Sequence, residues 1–85
     1  MQSFIDAFVA GDESAGWVFL DWVEDRECWD EVLAHLEVEM AFHYLTYLAG
    51  DADSRHSPAY RRWSRLERLH WGVTMRQQDT AFTTL

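Results

Sequence analysis

Three side chains that could bind a metal ion follow one another at four-residue spacing in the middle of the chain. His35, Glu39 and His43 share one side of any helix that contains them, because residues four apart are neighbours on a helix surface. Imidazole and carboxylate groups are ligands for zinc, iron or manganese, and helical bundles build metal sites from such side chains. His70, in a later helical segment, could add a ligand. One functional alternative is therefore a metal- or small-ligand-binding module centred on Glu39, His43 and His70.

Two observations weigh against a metal site at these residues. A helix rises about 12 Å from His35 to His43, so one ion can contact an adjacent pair but not all three. The Glu-x-x-His spacing of carboxylate-bridged sites is also missing. In the competing interpretation the histidines lie at the edge of the core and Glu39 pairs with one of them. We therefore expect no metal and no other cofactor.

Nucleophilic catalysis has equally little support in the sequence. Cys28 is the single cysteine and has Glu27 and Asp30 close by, and carboxylates disfavour the negatively charged thiolate that reacts. No serine lies in a Gly-x-Ser-x-Gly motif, and no glycine-rich loop is present to hold a phosphate. We expect that the protein is not an enzyme.

Charged side chains are distributed unevenly along the chain. Residues 1–54 contain thirteen Asp or Glu and one Arg, whereas residues 55–85 contain six Arg and two acidic residues. The net charges are −12 and +4, or −8 in total. Most of the early carboxylates lie around the junction of two predicted helices, with Trp17 and Trp29 as aromatic candidates. The predicted partner-binding residues are Asp12, Glu13, Trp17, Asp21, Glu24, Asp25, Glu27, Asp30 and Glu31.

An acidic helical face with a tryptophan has the composition of a protein-binding hot spot. The ring supplies buried area, and the carboxylates steer a basic partner towards the surface. We predict a small acidic non-enzymatic module, an inhibitor or adaptor that docks on a basic protein surface and mimics nucleic acid there. Phage anti-CRISPR and other anti-defence proteins, and bacterial immunity proteins, share this size and charge, but no motif links the chain to them. The competing interpretation is that the charge serves solubility.

The arginines of the C-terminal part alternate with aromatic residues, as in surfaces that bind phosphates and stack bases. They are Arg55, Arg61, Arg62, Arg65, Arg68 and Arg76. The negative charge of the remaining chain opposes a polyanion, so we expect no direct binding to nucleic acid. Instead, we expect the arginines to be solvated or to pair with carboxylates of the same chain or of a second copy, and a homo-oligomer held by the acidic and Arg-rich halves is an alternative.

Apolar periodicity predicts an all-α fold, a single small bundle of three to four helices with an aromatic-rich core. Gly11 ends the first helix, Asp12 caps the second, and Ser57 followed by Pro58 begins the last. The single helical domain covers residues 1–78, with helices at about 3–10, 13–26, 27–49 and 58–72 or 58–78, and a C-terminal tail at 79–85. Five Trp, five Phe and three Tyr supply apolar area for a short chain.

Localisation is predicted from what the sequence lacks. No segment approaches the roughly 20 apolar residues of a membrane span, and the first residues do not resemble a secretory leader. An unpaired cysteine suggests a reducing compartment. We therefore expect a cytoplasmic protein without a membrane partner.

Overall fold

The computed structural model describes residues 1–50 and 57–84, with side chains as far as residue 81. Four helices make up these ranges, and no strand occurs within them. Helix α1 spans Gln2–Val9, α2 spans Glu13–Arg26, α3 spans Trp29–Ala49 and α4 spans Pro58–Thr84. The prediction of an all-α fold is confirmed.

Side-chain caps fix the first turns of α2 and α4. Oδ1 of Asp12 accepts hydrogen bonds from the backbone N–H of Ser14 at 3.1 Å and from its hydroxyl at 2.6 Å. The bond from the Ser14 hydroxyl is the main reason why the pKa of Asp12 lies below its ordinary value. Oγ of Ser57 accepts from the N–H of Tyr60 at 3.0 Å. Both caps lie where the sequence predicts them.

Two residues with positive φ separate the first three helices. Gly11 has φ 115°, which glycine adopts without a steric penalty, and α1 ends just before it. Glu27 has a left-handed φ of 54° and its N–H donates to the carbonyl of Glu24 at 3.3 Å. This conformation ends α2, so α3 begins at Trp29 and not at residue 27.

Helix α4 is longer than predicted. It continues past Gly72 through Thr84, so residues 79–84 belong to the helix and not to a tail, while residue 85 lies outside the described residues. Nη1 of Arg76 donates to Oε2 of Glu24 at 2.6 Å, and the Thr80 hydroxyl donates to Oε1 of Glu24 at 3.3 Å. These bonds to α2 hold the later turns of α4 against a neighbouring helix.

All four helices contribute to one buried core, which is mainly aliphatic. Its members are Ile5, Phe8, Ala15, Phe19, Leu20, Val23, Val32, Leu36, Leu66, Leu69 and Val73. Only Phe8 and Phe19 are aromatic, so the predicted aromatic-rich core is not confirmed. Large rings such as Trp17, Phe42 and Trp71 are exposed instead. Sequence composition reports how much apolar area is available, but tertiary packing decides which rings are buried.

The molecule is elongated, 46 × 20 × 17 Å, because part of α3 and α4 extends beyond the core. Nη1 of Arg65 donates to the carbonyl of Val9 at 2.7 Å, which marks where the end of α1 meets α4. Residues 43–49 and 58–64, hereafter the arm, contain no buried side chain. Ring contacts join the two helices of the arm, with centroids 5.5 Å apart for Tyr44 and Trp63.

Candidate functional site

The acidic side of α2 carries an exposed tryptophan between two carboxylates. Trp17 is 66% exposed. Glu13 lies one turn before it and Asp21 one turn after it, on the same side of the helix. Tryptophan side chains usually bury most of their large area, so an indole ring that is exposed to water beside charged groups is unusual. Trp17 is therefore a large apolar side chain that the fold leaves uncovered on the acidic side of α2.

Trp17 also borders an open cleft of about 150 Å³ between α2 and α4. Leu20 and Leu69 form part of its apolar floor, and Glu13 and Arg68 lie on its rim. Nη2 of Arg68 donates to Oε2 of Glu13 at 2.8 Å, so an ion pair lines part of the cleft. The volume is similar to that of one aliphatic side chain, so the cleft can receive a small apolar group next to the indole ring.

Three of the predicted partner-binding carboxylates form ion pairs with arginines of α4. Glu13 pairs with Arg68 at 2.8 Å, and Nη1 of Arg76 donates to Glu24 at 2.6 Å and to Asp21 at 3.1 Å. Hydrogen bonds to Glu24, and then to Asp21, raise the pKa of Arg76 above its ordinary value. Part of the Arg-rich half thus neutralises part of the acidic half within one chain.

These ion pairs leave the carboxylates accessible to a partner. The side chains of Glu13 and Asp21 remain 63% and 75% exposed while paired. Exposed ion pairs contribute about 0–1 kcal/mol, since water competes for both groups. A partner's cations can therefore exchange with the guanidinium groups at little cost.

We expect Arg76→Gln to lower the free energy of unfolding by about 1 kcal/mol, since two carboxylates lose a shared cation whose side chain is only partly exposed. Arg68→Gln is the matched control, because it removes a single, more exposed bridge. Its expected loss is below about 0.5 kcal/mol. Urea denaturation followed by circular dichroism measures both. Equal losses would contradict the assignment of Arg76 as the stronger link between α2 and α4.

The remaining arginines differ in their interactions. Arg65 is bound to the carbonyl of Val9, as described above. Arg61 and Arg62 are exposed and have no ion pair within the described part of the chain. Arg55 lies outside the described residues. The only unpaired arginines that the described α4 presents are thus those of the arm.

Four other predicted partner-binding residues surround the turn between α2 and α3. They are Asp25, Glu27, Asp30 and Glu31, hereafter the acidic corner. All four are exposed, and none has an ion pair among residues 1–50 and 57–81. Trp29, next to them, is half-buried against the core. By the helical repeat, Asp25 lies about 80° around α2 from Trp17 and about 40° from Asp21, so the acidic corner adjoins the carboxylates of α2, and Asp12 caps the other end of that helix.

The predicted metal-binding side chains are only partly brought together. Nε2 of His35 lies 3.5 Å from Oε1 of Glu39, and Nε2 of His43 lies 3.8 Å from Oε2 of the same residue. His70 lies 3.3 Å from Glu37 instead. Among the described residues, no group of three His, Cys, Asp or Glu is arranged to hold a metal ion. The trio Glu39, His43 and His70 is therefore not assembled around a common point.

Sequence reasoning missed an exposed apolar surface on α3. The segment from Val38 to Ala49 has few polar residues, which predicts a central buried helix. The structure covers only the side that faces α4, and Val38, Phe42 and Leu45 remain exposed on the other. The signal was present in the sequence, because apolar residues surround this part of the helix.

Within the described residues, no helix has both the length and the apolar character needed to cross a bilayer. No protein-family model matches the chain, and no curated protein and no solved structure matches it either.

Proposed function

We propose that this protein is a non-enzymatic protein-binding module, an inhibitor or adaptor, that docks the acidic side of α2 on a basic surface of a partner protein. The observation that carries the proposal is the exposure of Trp17 between Glu13 and Asp21, beside an apolar cleft. Tryptophan is among the residues most enriched at binding hot spots. An exposed ring, a cleft and accessible carboxylates supply both the apolar centre and the polar rim of an interface.

Binding divides into a long-range and a short-range contribution. The net charge of −8 attracts a basic partner from a distance and raises the association rate at low ionic strength. The acidic corner adds to this field, since its carboxylates form no ion pair in the described chain. At short range, Trp17 loses its contact with water, and the carboxylates of α2 bind cations of the partner in place of, or together with, Arg68 and Arg76.

Basic protein grooves commonly hold nucleic acid, whose phosphates release counterions when Lys and Arg bind them. A carboxylate-rich helix that occupies such a groove competes with the nucleic acid and inhibits the owner of the groove. An inhibitor of the anti-CRISPR, anti-defence or nuclease-immunity type would use this chemistry. The proposed partner class is therefore a nucleic-acid-binding protein.

Retention of a partner tests the role of Trp17. Wild-type protein, Trp17→Ala and Trp71→Ala are immobilised and exposed to a lysate of the producing cells. Trp71 is a matched control, since it is an equally exposed indole on α4. We expect wild type and Trp71→Ala to retain a basic protein, which salt should elute. The amount retained by Trp17→Ala should be lower by at least about 10-fold. Equal retention by all three proteins would overturn the proposal.

Association kinetics with the purified partner test whether the negative charge of the acidic corner speeds binding. Asp25→Arg, Asp30→Arg and Glu31→Arg are combined in one variant, because these carboxylates have no ion pair in the described chain that the change could break. We expect the variant to associate more slowly than wild type at low salt, and this difference in rate should shrink as salt screens the charges.

A gel shift should show that wild type displaces nucleic acid from the partner. Unchanged kinetics together with undisturbed nucleic-acid binding would exclude a competitive inhibitor.

A further inference from the structure

The outer side of α3 is apolar and uncovered along more than three turns. Its residues, hereafter the α3 face, are Val38, Ala41, Phe42, Leu45, Leu48 and Ala49. Val38 is 70% exposed, Phe42 65% and Leu45 63%. No side chain in the described ranges covers these residues.

The spacing of these residues makes a continuous surface and not a scatter of apolar side chains. Positions 38, 42, 45 and 49, together with 41 and 48, fall within an arc of about 120° around the helix. Glu39, His43 and Thr46 lie outside the arc. On the opposite side, Met40 and Tyr47 are half-buried towards α4. A helix that is apolar on two opposite sides is normally covered on both.

We propose that a second copy of this chain covers the α3 face, with the two α3 helices packed antiparallel about a two-fold axis. The midpoint of the face lies between residues 42 and 45. Antiparallel packing therefore sets Phe42 of one copy against Leu45 of the other, and Val38 against Ala49. A two-fold dimer, in which the same surface of each copy forms the interface, is the commonest arrangement among homo-oligomers.

The area of the α3 face is large enough for an interface with a second copy. Its exposed side chains amount to roughly 500 Å² on each copy, near the upper end for the largest apolar patch of a monomer. A symmetric pair would bury about 1,000 Å² from the two faces alone, which reaches the lower limit for a specific interface. Contacts between side chains at the edge of the face would add to this area.

Charge decides the direction of the two helices. Parallel packing would place the two acidic corners side by side, with eight carboxylates that form no ion pair in the described chain. Antiparallel packing moves the corners to opposite ends of the dimer. Each corner then lies at the end where the arm of the other copy carries Arg61 and Arg62. The α3 face points away from α4, so the Trp17 cleft between α2 and α4 stays open on both copies.

Sedimentation equilibrium measures the association directly. For wild type we expect a mass twice that of the 10.0 kDa chain and a dissociation constant in the micromolar range. Leu45→Glu should weaken the dimer at least about 100-fold, because both copies lose a buried leucine and gain a desolvated carboxylate. Val38→Glu should do the same, and Trp71→Glu, at an exposed apolar position outside the α3 face, should not. Circular dichroism confirms that each variant is folded.

Distance measurement by electron spin resonance tests the direction of packing. Nitroxide labels are attached at Glu31→Cys in a Cys28→Ser background. Antiparallel packing places the two positions about 40 Å apart along the axis, whereas parallel packing leaves them within about 20 Å. A wild-type monomer at all concentrations, or a dimer that tolerates Leu45→Glu and Val38→Glu, would overturn the assignment of a second copy to the α3 face. A short label distance would overturn the antiparallel arrangement.

Discussion

Phe19→Ala is expected to lower the free energy of unfolding by about 3–5 kcal/mol. Phe19 is fully buried in α2, with its ring centroid 6.1 Å from that of Phe4 in α1 and 6.1 Å from that of Trp22. Truncation removes the contacts that join these rings and leaves a cavity where α1 meets α2. A domain of this size has a total stability of about 5–15 kcal/mol, so the variant should lose a large part of it.

Trp71→Ala is the control for Phe19→Ala, because it deletes an even larger ring from an exposed position. Its expected effect is within about 0.5 kcal/mol. Urea denaturation at one fixed protein concentration gives both values, since self-association would make the apparent stability depend on concentration. Equal losses in the two variants would mean that the core does not centre on Phe19.

The boundaries that the sequence predicts well are those set by local interactions. Asp12 caps α2 through Ser14, two residues away, and Ser57 caps α4 through Tyr60, three residues away. Gly11 reaches its positive φ because it lacks a side chain. None of these interactions depends on how the helices pack, so residue type and order suffice to predict them.

The end of α4 and the ion pairs between helices depend on helix packing, which the sequence does not predict. Gly72 and the polar residues after it suggest an early end of α4, but Glu24 of α2 binds Arg76 and Thr80 and the helix continues. Similarly, the sequence offers pairing with the carboxylates of α2 only as one alternative for the arginines, and it does not show that Arg68 meets Glu13 from a position 55 residues later. Such pairs depend on which sides of two helices face each other, and one sequence does not specify that.

Helix packing also decides which aromatic rings are exposed. Periodicity places Phe42 in a mostly apolar helical segment, for which burial in a common core is the default expectation, and it leaves the exposure of Trp17 undecided. In the structure, a two-helix arm extends beyond α1 and α2, and four helices do not enclose every apolar side. Two of the surfaces that remain uncovered are those for which we propose a basic partner and a second copy.

Gly16→Ala is expected to destabilise the protein by about 1–2 kcal/mol, although alanine is the better helix former. A Cβ at Gly16 would stand 2.9 Å from both Cδ2 and Cε2 of the Phe8 ring. Phe8 is buried, and the guanidinium group of Arg68 lies over its ring at 5.5 Å from the centroid. The ring therefore has little room to move, and the cost of overpacking exceeds the gain in helix propensity.

Gly72→Ala is the matched substitution, with an effect of opposite sign. A Cβ at Gly72 would lie 3.8 Å from the two methyl carbons of Leu20, which is ordinary contact, so propensity alone should stabilise α4 by about 0.5–1 kcal/mol. Gly16 and Gly72 both line the Trp17 cleft. Urea denaturation of the two variants therefore reports on the packing beneath the proposed binding site. If Gly16→Ala were also stabilising, α1 and α2 would be packed more loosely than the contact with Phe8 implies, and the cleft would lack the rigid floor that holds Trp17 in position.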